Sequence, residues 1–288
     1  MPATLLDVPA WTADDPRGGR VCDVGEQTDR CGDRGSSVAW PRRMAVGALR
    51  AVQAYAVGDV VVLGVAGRLG DVVDEVDRAV RFALAEEPRA VLCDLSGVVD
   101  GVQPCAVEVL ASVGRHVRDW PGVPVGIACP DGAVRDALHR QPLSAHLTIT
   151  GLPGPALRAV GRCPPPARAV LRLPRHPGAP SAARAFVTRT CLDWQLPGSI
   201  PAGGLIARVF LADAMVGAAA SIAVSLARGD GCLRLAVRRR GTDGSTQRAP
   251  SFPPGRRWGR VRVEGLSRAW GVLPAADGGT VVWAVLSA

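Results

Sequence analysis

The sequence contains no lysine, so its formal net charge of +8 rests on arginine alone. Surfaces that bind nucleic acid usually combine both basic residues. Uniform arginine with abundant alanine, glycine, proline and valine is more typical of a GC-rich genome. The positive charge therefore does not predict a direct contact with nucleic acid.

The eight cysteines form no CxxC pair and no Cys/His cluster with the spacing of a zinc site. Cys93 and Cys129 fall inside apolar strand patterns, where a thiol acts as a small buried hydrophobe. The histidines lie far apart in sequence and near no nucleophile motif. This pattern predicts free thiols in a reducing cytoplasm and no metal centre.

The sequence also lacks a secretion signal and a long uninterrupted apolar run. Its amino terminus has no basic region followed by apolar residues. The most apolar segment, residues 205–226, is broken by Arg208, Asp213 and Ser221, so it predicts a buried helix and strand. We expect a cytoplasmic protein without membrane contact.

The residues that are present indicate two globular domains, because a chain of 288 residues with 48% hydrophobic residues can bury two cores. Residues 1–43 have no periodicity and predict a disordered tail, with Met44 as an alternative start of translation. The first domain spans residues 44–150 and the second spans 169–288. Between them, residues 151–168 are rich in proline and predict a semi-stiff linker without a helix.

The first domain alternates strand and helix patterns, which predicts an α/β fold with a mixed sheet and packed helices. In chain order the predicted elements are 60–66, 72–87, 90–95, 105–120, 123–129, 132–140 and 147–150. The strand that ends in Asp94-Leu95-Ser96-Gly97-Val98, with the helix that follows it, resembles the STAS domain of anti-sigma factor antagonists. The resemblance covers roughly residues 53–150.

The resemblance implies a serine at the start of that helix, where a partner kinase phosphorylates it and the helix N-terminus favours the added charge. Counted from Asp94, the family's Asp-Ser-Ser-Gly positions fall on Val102, Gln103, Pro104 and Cys105. Pro104 occupies the phosphoacceptor position and has no hydroxyl. We therefore expect a docking surface without the switch, formed by Asp94, Ser96, Gln103, Pro104 and Cys105. The alternative for Asp94 is that it only caps or salt-bridges its turn.

The second domain has the pattern of an α+β sandwich, with helices on one face of an antiparallel sheet. Its predicted strands are 169–173, 222–227, 232–237 and 280–286, and its predicted helices are 181–194, 204–221 and 261–270. The opening strand and helix, the long helix with its hairpin, and the segment 263–272 resemble the kinase-like anti-sigma regulatory domains of the GHKL ATPase superfamily. The resemblance implies a two-layer sandwich that binds ATP and magnesium and phosphorylates serine.

In active members the long helix presents a Glu base, an Asn ligand for magnesium and a basic or His residue, four positions apart on one helix face. In this chain those positions fall on Asp213, Gly217 and Ser221. Gly217 cannot bind a metal, so we expect most of the catalysis to be lost. Asp213 would be the base only if the domain is active.

The residues that contact the nucleotide in this family are also poorly matched. The direct count places Arg239 or Arg240 where the family has Asp-x-Gly, and Asp243 and Gly244 could serve only if the loop carries an insertion. Of the glycine-rich lid, Gly259 remains. A single glycine is weak evidence for a phosphate-binding loop.

The arginines at 238–240 and 256–262 leave two interpretations open. A solvated face is favoured, because runs of charge usually face water. The alternative is a residual anion site, since arginine binds phosphate in a bidentate manner.

The joint loss of the phosphoacceptor and of the metal ligand predicts a non-catalytic regulatory protein. Its family resemblance implies sigma-factor partner switching in a Gram-positive, often actinobacterial, host. The expected partners are a sigma factor, an anti-sigma factor or an antagonist protein; no cofactor is expected, and a homodimer is left open. The alternative is a divergent serine/threonine kinase that uses ATP and magnesium. A third hypothesis is that the first half senses a small ligand or assembles a complex, with the second half as scaffold.

Overall fold

The computed structural model describes residues 20–22, 51–99, 103–119, 123–215, 221–229, 231–240, 263–275 and 277–288. These residues form two β-sheets and six α-helices of eight residues or more. Within these ranges no helix has both the length and the apolar character needed to cross a membrane.

Most elements follow the order that the sequence predicts. The strands are β1 (Arg20–Cys22), β2 (Val52–Val57), β3 (Val60–Gly67), β4 (Ala90–Val98), β5 (Val125–Ala128), β6 (Thr148–Thr150), β7 (Ala167–Leu173), β8 (Ile222–Gly229), β9 (Cys232–Arg239), β10 (Ala269–Pro274) and β11 (Thr280–Ser287). The helices are α1 (Leu69–Ala85), α2 (Pro104–Asp119), α3 (Gly132–His139), α4 (Pro153–Arg162), α5 (Ala179–Asp193) and α6 (Ile200–Ala214).

The first sheet is a mixed sheet of five strands in the order β2-β3-β4-β5-β6. Strand β2 is antiparallel to β3, and the remaining pairs are parallel. The apolar runs of β3 and β4 are buried on both faces, as is typical of parallel strands. Helices α1, α2 and α3 follow β3, β4 and β5, so their amino-terminal ends lie at the edge where those strands end.

Helix α4 lies in the segment predicted to be a linker without a helix, and that prediction is wrong. Pro153 stands at the first helical position and Pro155 in the first turn, where a missing N–H breaks no helical hydrogen bond. Ala156 and Val160 are buried against Val62 and other residues on one face of the first sheet. What remains of the linker is residues 163–166.

The second sheet has six strands in the order β1-β7-β8-β9-β11-β10. Strand β1 is parallel to β7, and the other pairs are antiparallel. Because β1 falls in the tail predicted to be disordered, these three residues depart from that prediction; the rest of residues 1–43 lies outside the described residues. Helices α5 and α6 pack on one face of the sheet, around Ile206 and Phe210.

The predicted last helix, residues 261–270, is wrong at its carboxyl end. Residues 263–266 are helical, but Trp270 lies in β10 and pairs with Ala284 of β11. Trp270 and Val272 face the core beneath α5 and α6, while Leu273 faces the opposite side of the sheet. A strand with apolar residues on both faces cannot be distinguished from a short helix by periodicity alone.

In the second half, α5 and α6 cover one face of the sheet, as a two-layer sandwich predicts, and the other face is covered as well. Ala236, Val281 and Trp283 lie on the face away from α5 and α6, and they are buried in one continuous core with residues of the first half. Helix α1 contacts β3 and β4 on one side and β10 on the other. The layers therefore run from α5 and α6 through the second sheet, α1 and the first sheet to α4.

Candidate functional site

The predicted docking residues lie at one edge of the first sheet. Asp94 and Ser96 are at the end of β4, Gln103 precedes α2, and Pro104 and Cys105 are the first two residues of α2. We call residues 94–99 and 103–105 the loop edge. Val102, which the family count also placed here, lies outside the described residues.

The end of β4 is shaped by a local turn and by one close approach. The Asp94 Oδ1 atom accepts hydrogen bonds from the Ser96 backbone N–H at 3.0 Å and from the Ser96 hydroxyl at 2.6 Å. This is the capping role that the sequence left as an alternative. A Cβ on Gly97 would lie 2.7 Å from the Val65 carbonyl oxygen, where the register of β3 and β4 shifts. Glycine is therefore required for the chain to leave the sheet along this path.

Val99 presents an apolar side chain to solvent at this edge. Its backbone N–H donates to the Gly67 carbonyl oxygen at 3.1 Å, which ties the loop to the end of β3. Its side chain is 74% exposed. The loop edge thus offers a hydrophobic contact on backbone that is held to the sheet.

The first two residues of α2 carry no hydroxyl that could accept a phosphate. Pro104 is the first residue of the helix and is exposed, and the thiol of Cys105 is free and exposed. The Gln103 side chain lies over Gly70 at the start of α1, so a Cβ at Gly70 would overlap it. In the described part of the chain, no group of three or more His, Cys, Asp or Glu residues could hold a metal ion. This arrangement suits binding by contact.

Asp213 and Ser221, predicted to share one face of the long helix, do not do so. Helix α6 ends at Ala214, with Asp213 half-buried in its last turn. Ser221 is exposed and precedes β8, so its placement on the helix is wrong, and Gly217 lies outside the described residues. The Arg175 guanidinium donates to the Met215 carbonyl oxygen at 2.7 Å, an interaction that stabilises the end of a helix.

The residues that would bind the nucleotide are not tested by the structure. Asp243, Gly244 and Gly259 lie outside the described residues. Arg240 ends near Asp277, with 3.7 Å between its Nε and a carboxylate oxygen. Nucleotide binding therefore stays an untested alternative.

Arg238, predicted to lie on a solvated face or in an anion site, instead forms an ion pair with the end of α1. Its two terminal nitrogens each donate to one Glu86 carboxylate oxygen at 2.7 Å, and one also contacts Asp277 at 3.1 Å. Two parallel charge-assisted bonds of this kind are among the stronger polar contacts in proteins. Sequence reasoning missed the pair because its partners are 152 residues apart.

The neighbouring Glu87 is buried in the same region. One of its carboxylate oxygens accepts from Arg234 at 2.8 Å and from the Ser225 hydroxyl at 3.1 Å, and the other pairs with Arg168. The side chains of Glu87 and Arg234 are only 8% and 3% exposed. We call Glu86, Glu87, Arg168, Arg234 and Arg238 the interdomain charge cluster. The only sequence signals were an acidic pair directly after a helix and two arginines, Arg234 and Arg238, at even spacing on β9.

A second buried carboxylate joins α1 to α2. The Asp77 Oδ1 atom lies 2.8 Å from His116 Nε2, and the other oxygen pairs with Arg81. Burial works to raise the pKa of Asp77, but the hydrogen bonds and charges of His116 and Arg81 outweigh it and hold the pKa below its usual value. His116 therefore has a specific structural contact.

Comparison with known proteins gives partial likenesses. No family model matches the chain, and no curated protein matches it. An anti-sigma factor antagonist from Mycobacterium paratuberculosis is 22% identical with a TM-score of 0.32, over 38% of this chain and 92% of that one. The protein TM1081, solved by NMR, is 16% identical with a TM-score of 0.32, over 48% of this chain and 99% of that one. An anti-sigma factor antagonist is thus among the similar solved structures, and the fusion to a kinase-like domain is not shown.

Proposed function

We propose that this chain is a non-catalytic regulatory protein of sigma-factor partner switching that acts by binding other proteins at its loop edge. The observation that carries the proposal is Pro104, exposed at the first position of α2 close to the loop that ends in exposed Val99. The surface is available for contact, but its phosphoacceptor position has no hydroxyl. The partner would be a sigma factor, an anti-sigma factor or an antagonist protein.

The composition supports the non-catalytic half of this proposal. The resemblance to the kinase-like family implies an asparagine that binds magnesium, and the chain contains no asparagine at any position. No shift of register and no loop insertion can therefore supply that ligand. Asp213 remains as a carboxylate in the last turn of α6, one methylene shorter than the glutamate of the family.

Binding measurements with purified partners test the docking surface. Sigma factors and anti-sigma factors from the same genome would be immobilised and titrated with the full chain. Val99→Glu should weaken binding about tenfold or more, because it places a charge where an apolar contact forms. Leu192→Glu is the matched control, since Leu192 is a similarly exposed apolar residue on α5, and it should bind like the wild type. Equal loss in both variants, or no binding of any partner, would overturn the proposal.

Calorimetry with ATP and magnesium separates the alternative, a divergent serine/threonine kinase. Tight binding that Asp213→Asn or Gly259→Trp weakens, with phosphate transfer to an antagonist, would establish the kinase. Absence of heat across millimolar nucleotide, with partner binding intact, would leave the non-catalytic function.

A further inference from the structure

The carboxyl end of α1 sits in a basic recess on the second sheet. The recess is formed by Arg168 of β7 and by Arg234 and Arg238 of β9, all on the face away from α5 and α6. Arg238 also donates to the Ala85 carbonyl oxygen at 3.3 Å, one of the carbonyls that a helix end leaves without a partner. Carboxylates and a helix carboxyl terminus are both negative, so the recess is complementary to this end of α1.

The charges in this recess depend on each other. Burial lowers the pKa of the Arg234 guanidinium, because a cation is poorly solvated there. Burial, together with the charges of Arg234 and Arg238, also lowers the pKa of Arg168. Glu87 is the carboxylate that contacts both Arg168 and Arg234. Without Glu87, both arginines would lose a carboxylate that offsets the cost of burying their positive charge.

The backbone of Glu87 provides independent evidence. Its φ is +52°, in the left-handed region, and it stands just past the end of α1. Glycine is the usual residue at this position because a side chain is disfavoured there. A glutamate that adopts this conformation, with its carboxylate in contact with three side chains, indicates that the charge outweighs the local preference of the backbone.

We propose that Glu87, supported by Glu86, is a lock that fastens α1 to the second sheet, so that the two halves of the chain stay joined while partners bind and leave. The recess on the second sheet is then a docking site whose occupant is the chain's own acidic helix end. The apolar core shared by α1, Ala236 and Trp283 lies beside the lock and is covered by the same contact.

The lock has a consequence for how the protein works. Helix α1 has 17 residues and thus spans about 25 Å, from its first turn, where Gln103 of the loop edge lies over Gly70, to the interdomain charge cluster at its other end. One rigid element therefore connects the proposed partner surface with the second half. The contacts of Glu87 do not involve the loop edge, so the test of the lock does not depend on whether a partner binds at the loop edge.

Native-state hydrogen exchange on the full chain tests the lock. In the wild type, peptides from β3 to β5 and from β8 to β9 should open with the same equilibrium constant, because the halves unfold as one unit. Glu87→Gln should raise the open population of both halves about 100-fold or more, since it removes the carboxylate charge that faces buried Arg234 and half-buried Arg168. Glu108→Gln, at an exposed site on α2, is the matched control and should leave exchange unchanged.

Two further variants separate the lock from a purely local effect. Glu87→Gly removes the strain of a side chain in the left-handed backbone region. If the charge of Glu87 is what matters, this variant should still raise the open population. If helix termination were the only role of Glu87, the variant would lower the open population. The double variant Glu87→Gln with Arg234→Met should recover part of the lost stability, because it also removes the cation that faced Glu87. If Glu87→Gln alone does not fold, recovery of folding in the double variant gives the same answer. Independent opening of the two halves in the wild type, protection by Glu87→Gly, or strictly additive effects would overturn the lock.

Discussion

Gly97 shows how one missing side chain shapes the proposed partner surface. A Cβ there would lie 2.7 Å from the Val65 carbonyl oxygen, which is backbone and cannot turn aside. Gly97→Ala should therefore destabilise the protein by about 1–3 kcal/mol, by forcing the strands apart. Urea unfolding would measure the change. Gly161→Ala in α4, where a Cβ meets nothing within 4 Å, should be neutral or slightly stabilising; equal losses in both variants would contradict this view of Gly97.

Asp77 links stability to pH. Its pKa is lowered in the folded protein, so its contribution to stability is present above the unfolded value near 3.8 and is lost as the pH falls through the lower folded value. Asp77→Asn should cost about 1–3 kcal/mol at neutral pH and flatten the loss of stability below about pH 4. Thermal unfolding between pH 2 and 7 would test this. Asp74→Asn, at an exposed site on the same helix, should keep the wild-type pH profile.

Pro104 decides whether the loop edge can be switched. Pro104→Ser restores a hydroxyl at an exposed helix start, where an added phosphate is favoured by the helix dipole. Incubated with an active anti-sigma kinase and ATP, this variant should gain one phosphate by mass spectrometry, while the wild type gains none. Phosphorylation of the wild type at Ser96 or elsewhere on the loop edge would show that the switch has moved and has not been lost.

At the scale of elements, α4 is the clearest departure from the sequence prediction. Its buried Val160 packs near Leu92 on the face of the first sheet opposite α1 and α2. Val160→Ala should therefore cost about 1–3 kcal/mol of unfolding free energy, through lost burial and a cavity. Leu152→Ala, at the exposed residue just before α4, should change stability by less than about 0.5 kcal/mol. If this segment were a solvated linker, the two substitutions would change the unfolding free energy by similarly small amounts.

For the whole molecule, the covered face of the second sheet is the decisive feature. Ala236 is 1% exposed on that face, in the core shared with the first half. Ala236→Glu should disrupt both halves together, because it forces a much larger, charged side chain into a packed core. Hydrogen exchange in β3 and β4 should therefore rise although the substitution is in β9. Ala212→Glu, at an exposed position of α6, is the control. Faster exchange confined to the second half in the Ala236 variant would contradict a shared core.

Much of the fold of each half could be predicted from local patterns. The apolar runs of β3, β4 and β5 and the amphipathic spacing of α1 and α2 identify these elements, because each one buries its own repeating face. The candidate residues at the end of β4 and the start of α2 were brought to one sheet edge as expected. Asp213 and Ser221 were not placed on one helix face, because α6 ends at Ala214 and is capped by Arg175.

The sequence by itself determined most of the elements of both halves, the missing hydroxyl at Pro104 and the absence of asparagine, since these depend only on residue identity and local periodicity. The tertiary structure decided which segments of the chain cover each face of the two sheets. Arg234 and Arg238, at even spacing on β9, indicate locally a face exposed to water. Only the docking of α1 brings Glu86 and Glu87 to them from about 150 positions away. Periodicity reports which face of a strand is apolar, but a polar face can be buried as well when a distant segment supplies the opposite charge.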